Sequence, residues 1–244
     1  MVGSSFLVAA LTSEYLYLNI LFTLQISKND QIVYHLTGAN ESILGLVDAY
    51  SVNHPTHKID GCYADEKWKT FFQTDNIDAI ARGTWSRNEG GDLPRRAGVR
   101  RYGVSKMCFV MMIGELQRRL DADPALKAIS ITGIDPGVMG TGLVRRGNWF
   151  TRVLLWPIII PFIAPFLTWL EPNGHVRTIS KSSADVLQAV FEASPELSGT
   201  YMNGSEVQEV VPEAADTKKR EMVWRDSVKY SQLTDQETAL MYWT

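Results

Sequence analysis

Cysteine and histidine are scarce in this sequence, and their positions exclude several kinds of site. The two cysteines, Cys62 and Cys108, are widely separated and form no Cys-x-x-Cys pair. This spacing argues against a disulfide framework and a structural zinc centre, and it favours a reducing compartment such as the cytosol. Of the four histidines, His54 and His57 are three apart, but Pro55 between them disfavours a regular helix. We therefore predict a surface loop there and no metal site.

Neither sign of charge dominates the chain. The 24 Lys and Arg residues against 27 Asp and Glu give a formal net charge of -3, so no overall attraction to nucleic acid or anionic membrane is expected. The basic pairs at 95–96, 100–101 and 145–146 lack an accompanying aromatic stripe. We interpret these pairs as solvated or substrate-flanking surface, and we predict no nucleic-acid partner.

Long apolar runs are rare, but residues 153–170 contain 18 residues without a charge, which is near the length that spans a bilayer. Pro157, Pro161 and Pro165 interrupt this run, and each interior proline costs a helix about 3 kcal/mol. A straight spanning helix is therefore the least favoured outcome. We predict an apolar lid over a substrate pocket, with peripheral contact at a membrane interface as the alternative. The expected location is cytoplasmic, with membrane association under the alternative.

Helices and strands alternate along the second half of the chain. Apolar spacing predicts helices and strands in this order: helix 102–120, strand 128–134, helix 183–193, strand 199–204 and helix 216–231. This order predicts an α/β fold with a Rossmann-like parallel sheet and helices on both faces. Residues 60–97 are polar and have no sustained period, so they are predicted to be a long surface excursion.

Tyr102 and Lys106 are the candidate acid–base pair. They are four residues apart at the start of a predicted helix, so their side chains share one face. An ammonium group near a phenol stabilises the phenolate and lowers a pKa that is normally about 10. The tyrosine can then exchange a proton with a substrate hydroxyl near neutral pH. By itself this spacing is also typical of an ordinary helix with a packed tyrosine.

The surrounding sequence resembles the short-chain dehydrogenase/reductase family. The stretch YGVSK at 102–106 is followed by the strand ISITGI and by DPGVMGT at 135–141. The resemblance implies NADP or NAD as cofactor, with Tyr102 as general acid and Lys106 as ribose ligand and modifier of the tyrosine pKa. It also implies further cofactor contacts from the turn after the strand: Pro136, Gly137, Met139 and Thr141.

Roughly residues 55–244 are similar to a fungal group of these reductases associated with secondary metabolism. The similarity is carried by DEKWKT at 65–70, ARGTWS at 81–86, ELQRRLDADP at 115–124 and YMNGSE at 201–206. It implies a carbonyl reductase or alcohol dehydrogenase that acts on an apolar, polyketide-derived small molecule. It also implies a homodimer, because the Tyr/Lys helix commonly packs at a dimer interface in this family.

The first 55 residues fit the family pattern less well. After the predicted strand QIVYHL, the only candidate phosphate turn runs from Thr37 to Gly45, with Gly38 and Gly45 as its outer glycines. A glutamate and a serine stand at 41 and 42, where a glycine would let the backbone approach phosphate. Under this interpretation Ser51 is the candidate for the serine that orients the substrate carbonyl.

Two other interpretations of this segment stay open. Residues 15–37 could be the later helix and strand before the active site, with Thr37 near the catalytic hydroxyl, or the segment could have no counterpart in the family. Gly38 and Tyr102 are 64 residues apart (102 − 38), enough for about two βαβ units of about 30 residues, whereas the family needs about four strand–helix steps. The fold is therefore expected to be shortened in its first half.

We expect one domain over 1–244, with an atypical nucleotide-binding portion at 1–55 and a catalytic and substrate portion at 98–244. The leading functional prediction is NAD(P)-dependent hydride transfer with a tyrosine as proton donor. The alternative is an impaired relative of these enzymes that has lost dinucleotide binding.

Overall fold

The described part of the chain contains one mixed sheet. In the computed structural model, the residues described are 10–11, 20–26, 32–37, 63, 65–87, 94–137, 139, 149–191, 195–232, 234–235 and 238–243. The strands of the sheet are β1 (Ala10–Leu11), β2 (Ile20–Ile26), β3 (Ile32–Thr37), β4 (Ile129–Asp135), β5 (Tyr201–Asn203) and β6 (Glu206–Val207). They neighbour one another in chain order.

The described part of the chain also contains six α-helices. They are α1 (Asp78–Ala81), α2 (Pro94–Ala122), α3 (Ile160–Leu170), α4 (Ile179–Phe191), α5 (Pro212–Ala215) and α6 (Thr217–Ser231). A π-helical segment, Thr151–Ile159, leads directly into α3. Short 3-10 turns occupy Glu66–Trp68 and Pro195–Leu197.

The central strands β3, β4 and β5 are parallel, as an α/β fold requires. The other pairs, β1 with β2, β2 with β3 and β5 with β6, are antiparallel. Residues 20–26 therefore form a strand, so the interpretation that placed a helix between residue 15 and the following strand is wrong for these residues. Their seven-residue apolar stretch is as typical of a buried strand as of a helix, and its pairing with β3 decides between them.

Helices cover both faces of β4, which confirms the predicted fold class. Ile129 and Ile131 pack with residues of α2, whereas Ile134 packs with Ala189 of α4. Because successive side chains of a strand point to opposite faces, α2 and α4 lie on opposite sides of the sheet. The strand at 129–135 and the helices near the C-terminus agree with the sequence predictions within a few residues.

Several side chains of the segment 63–87 are buried in a core cluster, so the prediction of a surface excursion is wrong for these residues. Their buried side chains include Tyr63, Phe71 and Phe72. They pack in one cluster with residues of α2 and α6, among them Val104, Met107, Met111, Met222 and Val223. The segment is almost entirely irregular, so its buried aromatics follow no helical or strand period and escape a periodicity test.

Carboxylates at the far end of the chain fix this segment in place. The side chain of Glu213 accepts hydrogen bonds from the backbone N–H groups of Phe71 (3.1 Å) and Phe72 (3.0 Å). Asp226 on α6 accepts one from Ile77 N–H at 2.9 Å. These bonds satisfy backbone donors that an irregular buried segment would otherwise leave unpaired.

Helix α2 begins eight residues earlier than the apolar pattern predicts, at Pro94 instead of residue 102. Proline is favoured in the first turn of a helix because the missing N–H would be unpaired there anyway. The added turns are stabilised by Arg100, which is buried, donates from Nε to Ser86 Oγ (2.8 Å) and lies 4.3 Å above the Trp68 ring. The arginine pairs at 95–96 and 100–101 interrupt the apolar pattern, so the sequence does not indicate that the helix begins at Pro94.

The apolar run is helical from Thr151 to Leu170, although three prolines interrupt its sequence. Pro157 lies within the π-helical segment and Pro165 within α3. In a π turn the C=O of residue i accepts a hydrogen bond from the N–H of residue i+5. This wider turn shifts the hydrogen-bond register, so a proline, which has no N–H, can be accommodated. Within the described residues, the stretch Val153–Leu170 is long and apolar enough to cross a bilayer, by length and composition alone.

Replacing Asp226 by alanine should lower the free energy of unfolding by about 2 kcal/mol. Asp226 is 4% exposed, and its loss leaves the Ile77 N–H buried without its acceptor. Urea unfolding followed by tryptophan fluorescence measures the change.

The matched control is Asp75→Ala, since Asp75 is an exposed aspartate two residues before Ile77. It should change the free energy of unfolding by no more than about 0.5 kcal/mol. Equal effects of the two substitutions would show that the Asp226–Ile77 bond does not hold the 63–87 segment.

Candidate active site

Helix α2 runs antiparallel to β4, and side-chain contacts establish its alignment. Near its C-terminal end, Gln117 donates to Ile129 O (3.2 Å) and accepts from Ile131 N–H (2.8 Å). One turn earlier, Ile113 lies so close to Gly133 that a Cβ on the glycine would be 2.5 Å from Ile113 Cδ1. Residues earlier in α2 therefore lie beside residues later in β4.

This alignment places Lys106 just beyond the carboxyl end of β4. From Ile113 back to Lys106 is seven residues, about 10 Å at 1.5 Å per helical residue. The same distance along β4 from Gly133, at about 3.3 Å per residue, reaches Pro136. Tyr102 is one turn further along the same helix. The described part of Tyr102 is its backbone, which has helical geometry.

Strand β3 ends at the same edge of the sheet. Its register pairs Leu36 with Gly133, so Thr37 is level with Ile134. The carboxyl ends of neighbouring parallel strands form the crevice in which open α/β sheets bind their ligands. The backbone thus brings Thr37, the middle of α2 around Lys106 and the turn after β4 to one edge.

The direct pairing of β3 with β4 bears on how residues 32–45 are interpreted. In a doubly wound dinucleotide-binding sheet, other strands separate the strand that precedes the phosphate turn from the strand at this position. The observed adjacency therefore favours the interpretation in which Thr37 lies near the catalytic hydroxyl over the one in which Gly38 and Gly45 bind phosphate.

Several predicted site residues fall outside the described part of the chain. These are Gly38, Gly45, Ser51 and Thr141, and their roles stay predictions. Met139 is described and half-buried, and it follows the turn at Pro136 and Gly137. Among the residues that the structure describes, no group of three His, Cys, Asp or Glu side chains could hold a metal ion.

Burial lowers the pKa of the Lys106 ammonium, because desolvation penalises its charged form. The side chain is half-buried, and the rise of α2 places its backbone level with the turn after β4. A partly desolvated ammonium interacts more strongly with a nearby phenol or ribose hydroxyl than one in bulk water. The acid–base role predicted for the Tyr102–Lys106 pair depends on such an interaction between the ammonium and the phenol.

The turn after β4 is held by groups that sequence reasoning missed. Gly137 N–H donates to Asp135 Oδ1 at 2.8 Å, and Ser182 Oγ donates to Pro136 O at 2.5 Å. Arg177 donates from Nη1 to Asp135 O at 2.8 Å. Arg177 and Ser182 lie 40 and 45 residues after Gly137 and belong to no recognisable motif, so the sequence carries no signal for their role.

Cys108 follows Lys106 by two residues but is not a nucleophile. It is buried in the cluster formed by α2 and residues 63–87. Burial raises the pKa of its thiol from 9.0 to about 12, with a smaller contribution from the Glu213 carboxylate in the same direction. The reactive form of cysteine is the thiolate, so this residue is a packing group.

Comparison with known proteins shows which class of protein the chain is similar to. No family model matches the chain. Over 187 residues the chain is 41% identical to the short-chain dehydrogenase iccH of the fungus Talaromyces variabilis. The match covers 74% of this chain and 50% of iccH, so the chain spans about half the length of this curated relative.

The match must include α2, β4 and the turn that follows β4. A continuous match to 74% of the chain leaves about 63 residues outside it (26% of 244). Residues 70–175 therefore lie inside it, whichever end is left unmatched. This stretch contains α2, β4 and the turn that follows. Over this matched part, the chain is similar to a member of the short-chain dehydrogenase/reductase family.

The Cys108 thiol should make the stability of the protein fall at alkaline pH. Its pKa is higher in the folded state, so the native protein retains a proton that the unfolded chain loses between pH 9 and 12. In this window the free energy of unfolding should fall by about 1.4 kcal/mol per pH unit through this group. The measurement is urea unfolding at pH 8, 9 and 10 in a Cys62→Ser background.

The control is the same background with Cys108→Ala, which removes the titrating thiol. Its stability is expected to be lower at every pH because of the cavity, but its slope with pH should be shallower by that amount. Parallel slopes for the two proteins would contradict the raised pKa.

Proposed function

We propose that this chain is an NAD(P)-dependent oxidoreductase, a carbonyl reductase or alcohol dehydrogenase that acts on an apolar, polyketide-derived small molecule. The observation that supports it best is the convergence of α2, the end of β3 and the turn after β4 at one edge of the sheet. The similarity of the matched part to a short-chain dehydrogenase supports the same class of reaction.

The described residues fit the nicotinamide end of such a cofactor. Lys106 offers a partly desolvated ammonium to a ribose hydroxyl. The turn at Pro136 and Gly137, together with Met139 and Thr141, would contact the carboxamide. Bound NADP or NAD would supply the hydride. No described residue is assigned to the pyrophosphate or the adenosine.

Tyr102 would donate its phenolic proton to the carbonyl oxygen of the substrate while the carbonyl carbon is reduced. Lys106, one helical turn away, would favour the resulting phenolate by its positive charge. The hydroxyl of Thr37, at the carboxyl end of β3, would hold the carbonyl oxygen in place for this transfer. In the reverse direction the same tyrosine accepts the proton of an alcohol.

An apolar substrate is supported by the surface that follows the turn. In α3 the side chains of Phe162, Phe166 and Trp169 are exposed, Phe162 to 86%. The C-terminal end of α3 is tied to the start of α4, where Thr178 N–H donates to Thr168 Oγ1 at 3.1 Å. An apolar helix in this position would cover an apolar ligand at the edge of the sheet. Peripheral contact of the same helix with a membrane is the other proposal, and flotation with phosphatidylcholine vesicles tests it.

The alternative function is an impaired relative that does not bind dinucleotide. It is supported by the antiparallel β1 and β2, which stand where the family has parallel strands. The two functions differ in one measurable property, the binding of reduced nicotinamide cofactor.

Titration of the purified chain with NADPH and NADH, followed by reduced-nicotinamide fluorescence, should give saturable binding at micromolar concentration. With a carbonyl substrate found by screening, Tyr102→Phe should lower kcat by about 100- to 10,000-fold, because the proton donor is lost. Cofactor binding should persist in this variant.

The control is Tyr242→Phe, since Tyr242 is an exposed tyrosine far along the chain. Its kcat should equal that of the unsubstituted protein. Absence of cofactor binding at millimolar concentration would overturn the reductase function in favour of the impaired relative.

The identity of the orienting hydroxyl is tested by a pair of substitutions. Thr37→Val should lower kcat by about 100-fold or more, because a carbonyl-orienting donor is lost, and Thr37→Ser should restore it. Ser51→Ala should leave kcat within about twofold. The reverse pattern would favour Ser51 as the orienting group and residues 37–45 as the phosphate turn.

A further inference from the structure

Arg177 is a buried guanidinium that the proposed chemistry does not use. It lies between α3 and α4 and is 1% exposed. Its Nε donates to Gly174 O at 2.8 Å, Nη1 to Asp135 O at 2.8 Å, and Nη2 to Asn173 O at 2.7 Å and to the Asn203 side chain. One side chain thus joins the end of β4, the end of β5 and the connection that follows α3.

Two glycines pack so closely against the Arg177 side chain that a side chain at either position would collide with it. Gly137 and Gly204 both have positive φ, 71° and 63°. A Cβ on Gly137 would lie 2.8 Å from Arg177 Cδ, and one on Gly204 would lie 2.8 Å from Arg177 Nη1. The turns after β4 and β5 therefore both pack against the arginine, and both depend on the absence of a side chain.

The acceptors match an arginine better than a lysine. Three of them are backbone carbonyl oxygens in different directions, and a planar guanidinium offers five N–H donors in a fixed fork. Burial lowers the pKa of Arg177, while the carboxylates of Asp135 and Asp185 act in the opposite direction. An ammonium at this position has three donors on a flexible stem and cannot reproduce the geometry.

A second group holds the same turn. Ser182, in the first turns of α4, is 2% exposed and donates to Pro136 O at 2.5 Å. Asp135 O also accepts from Gly204 N–H at 3.0 Å. The carbonyl groups of Asp135 and Pro136 are thus fixed in succession, which sets the direction in which Gly137 and the residues after it leave the sheet.

We propose that Arg177 is the positioning residue of the turn Asp135–Gly137, and that it holds this turn at the height of Lys106 for binding of the nicotinamide. The proposal rests on the proposed function, from which the role of the turn in cofactor binding comes. Arg177 also fixes the Asn173–Gly174 connection after α3. The cofactor-facing turn and the apolar segment therefore share one anchor.

The test compares Arg177→Lys with a matched control, Arg119→Lys. Arg119 is also buried, at 6% exposure, and its Nε donates to Glu115 at 2.8 Å near the far end of α2. Both variants keep the charge and lose a buried guanidinium. Hydrogen exchange followed by mass spectrometry reports on the peptides containing Gly137 and Gly204, and fluorescence titration gives the Kd for NADPH.

In Arg177→Lys, the amides of Gly137 and Gly204 should exchange at least about tenfold faster than in the unsubstituted protein. The Kd for NADPH should rise by about 10- to 100-fold, because a misplacement of about 1 Å has effects of this size. The KM for the carbonyl substrate, at saturating NADPH, should change by less than about twofold. Arg119→Lys should leave these exchange rates and the Kd unchanged, even where it lowers Tm equally.

Unchanged exchange at Gly137 in Arg177→Lys would overturn the positioning role, and so would equal effects of the two arginine variants on exchange and Kd. If exchange rises but the unsubstituted protein binds no NADPH, the arginine positions the turn and the proposed function fails. If NADPH binds and its Kd is the same in Arg177→Lys, the proposed function stands and the positioning role for cofactor binding fails.

Discussion

The close contact between α2 and β4 at Gly133 determines where the groups of the candidate site lie. Because Gly133 has no side chain, Ile113 can approach the strand closely: a Cβ at this position would lie 2.5 Å from Ile113 Cδ1. Because a helix advances about half as far per residue as a strand, a single contact of this kind fixes the height of every other residue on both elements. Lys106 reaches the carboxyl edge of the sheet because Ile113 is held at Gly133. A side chain at 133 would push α2 outward and shift the whole helix.

The opposite face of α2 is covered by an irregular segment instead of another regular element. Residues 63–87 contribute a stack of aromatic rings, in which Phe71 and Trp85 lie 5.6 Å apart between ring centroids. Large rings bury much apolar surface for each residue that is ordered, so a segment with little hydrogen-bonded structure of its own can still pay for its conformational entropy. The helix that carries Tyr102 and Lys106 therefore packs against the sheet on one face and against the aromatic side chains of residues 63–87 on the other.

The second half of the fold could be predicted from the sequence, whereas most of the first half was missed. The spacing of Tyr102 and Lys106 and the Pro136–Gly137 turn are local patterns, and the strand between them has a clear period. The core role of residues 63–87 was missed because aromatic side chains in an aperiodic segment rich in Asp and Arg resemble solvated loop. Arg177 was missed for a different reason. Its acceptors are backbone carbonyl groups, and no sequence pattern records which carbonyl groups meet in space.

The contacts that complete the packing of α2 come from widely separated parts of the chain. The hydrogen bond between Ile77 and Asp226 joins residues that are 149 positions apart, and the same cluster includes Met222 and Val223 of α6. Contacts of this sequence separation require the closure of a long loop before they stabilise anything, and they form late. During synthesis on the ribosome, α2 and its Tyr102–Lys106 pair would be made well before α6 is available to cover them. The apolar side of the helix is thus exposed in the nascent chain, and chaperone binding would matter most in this interval.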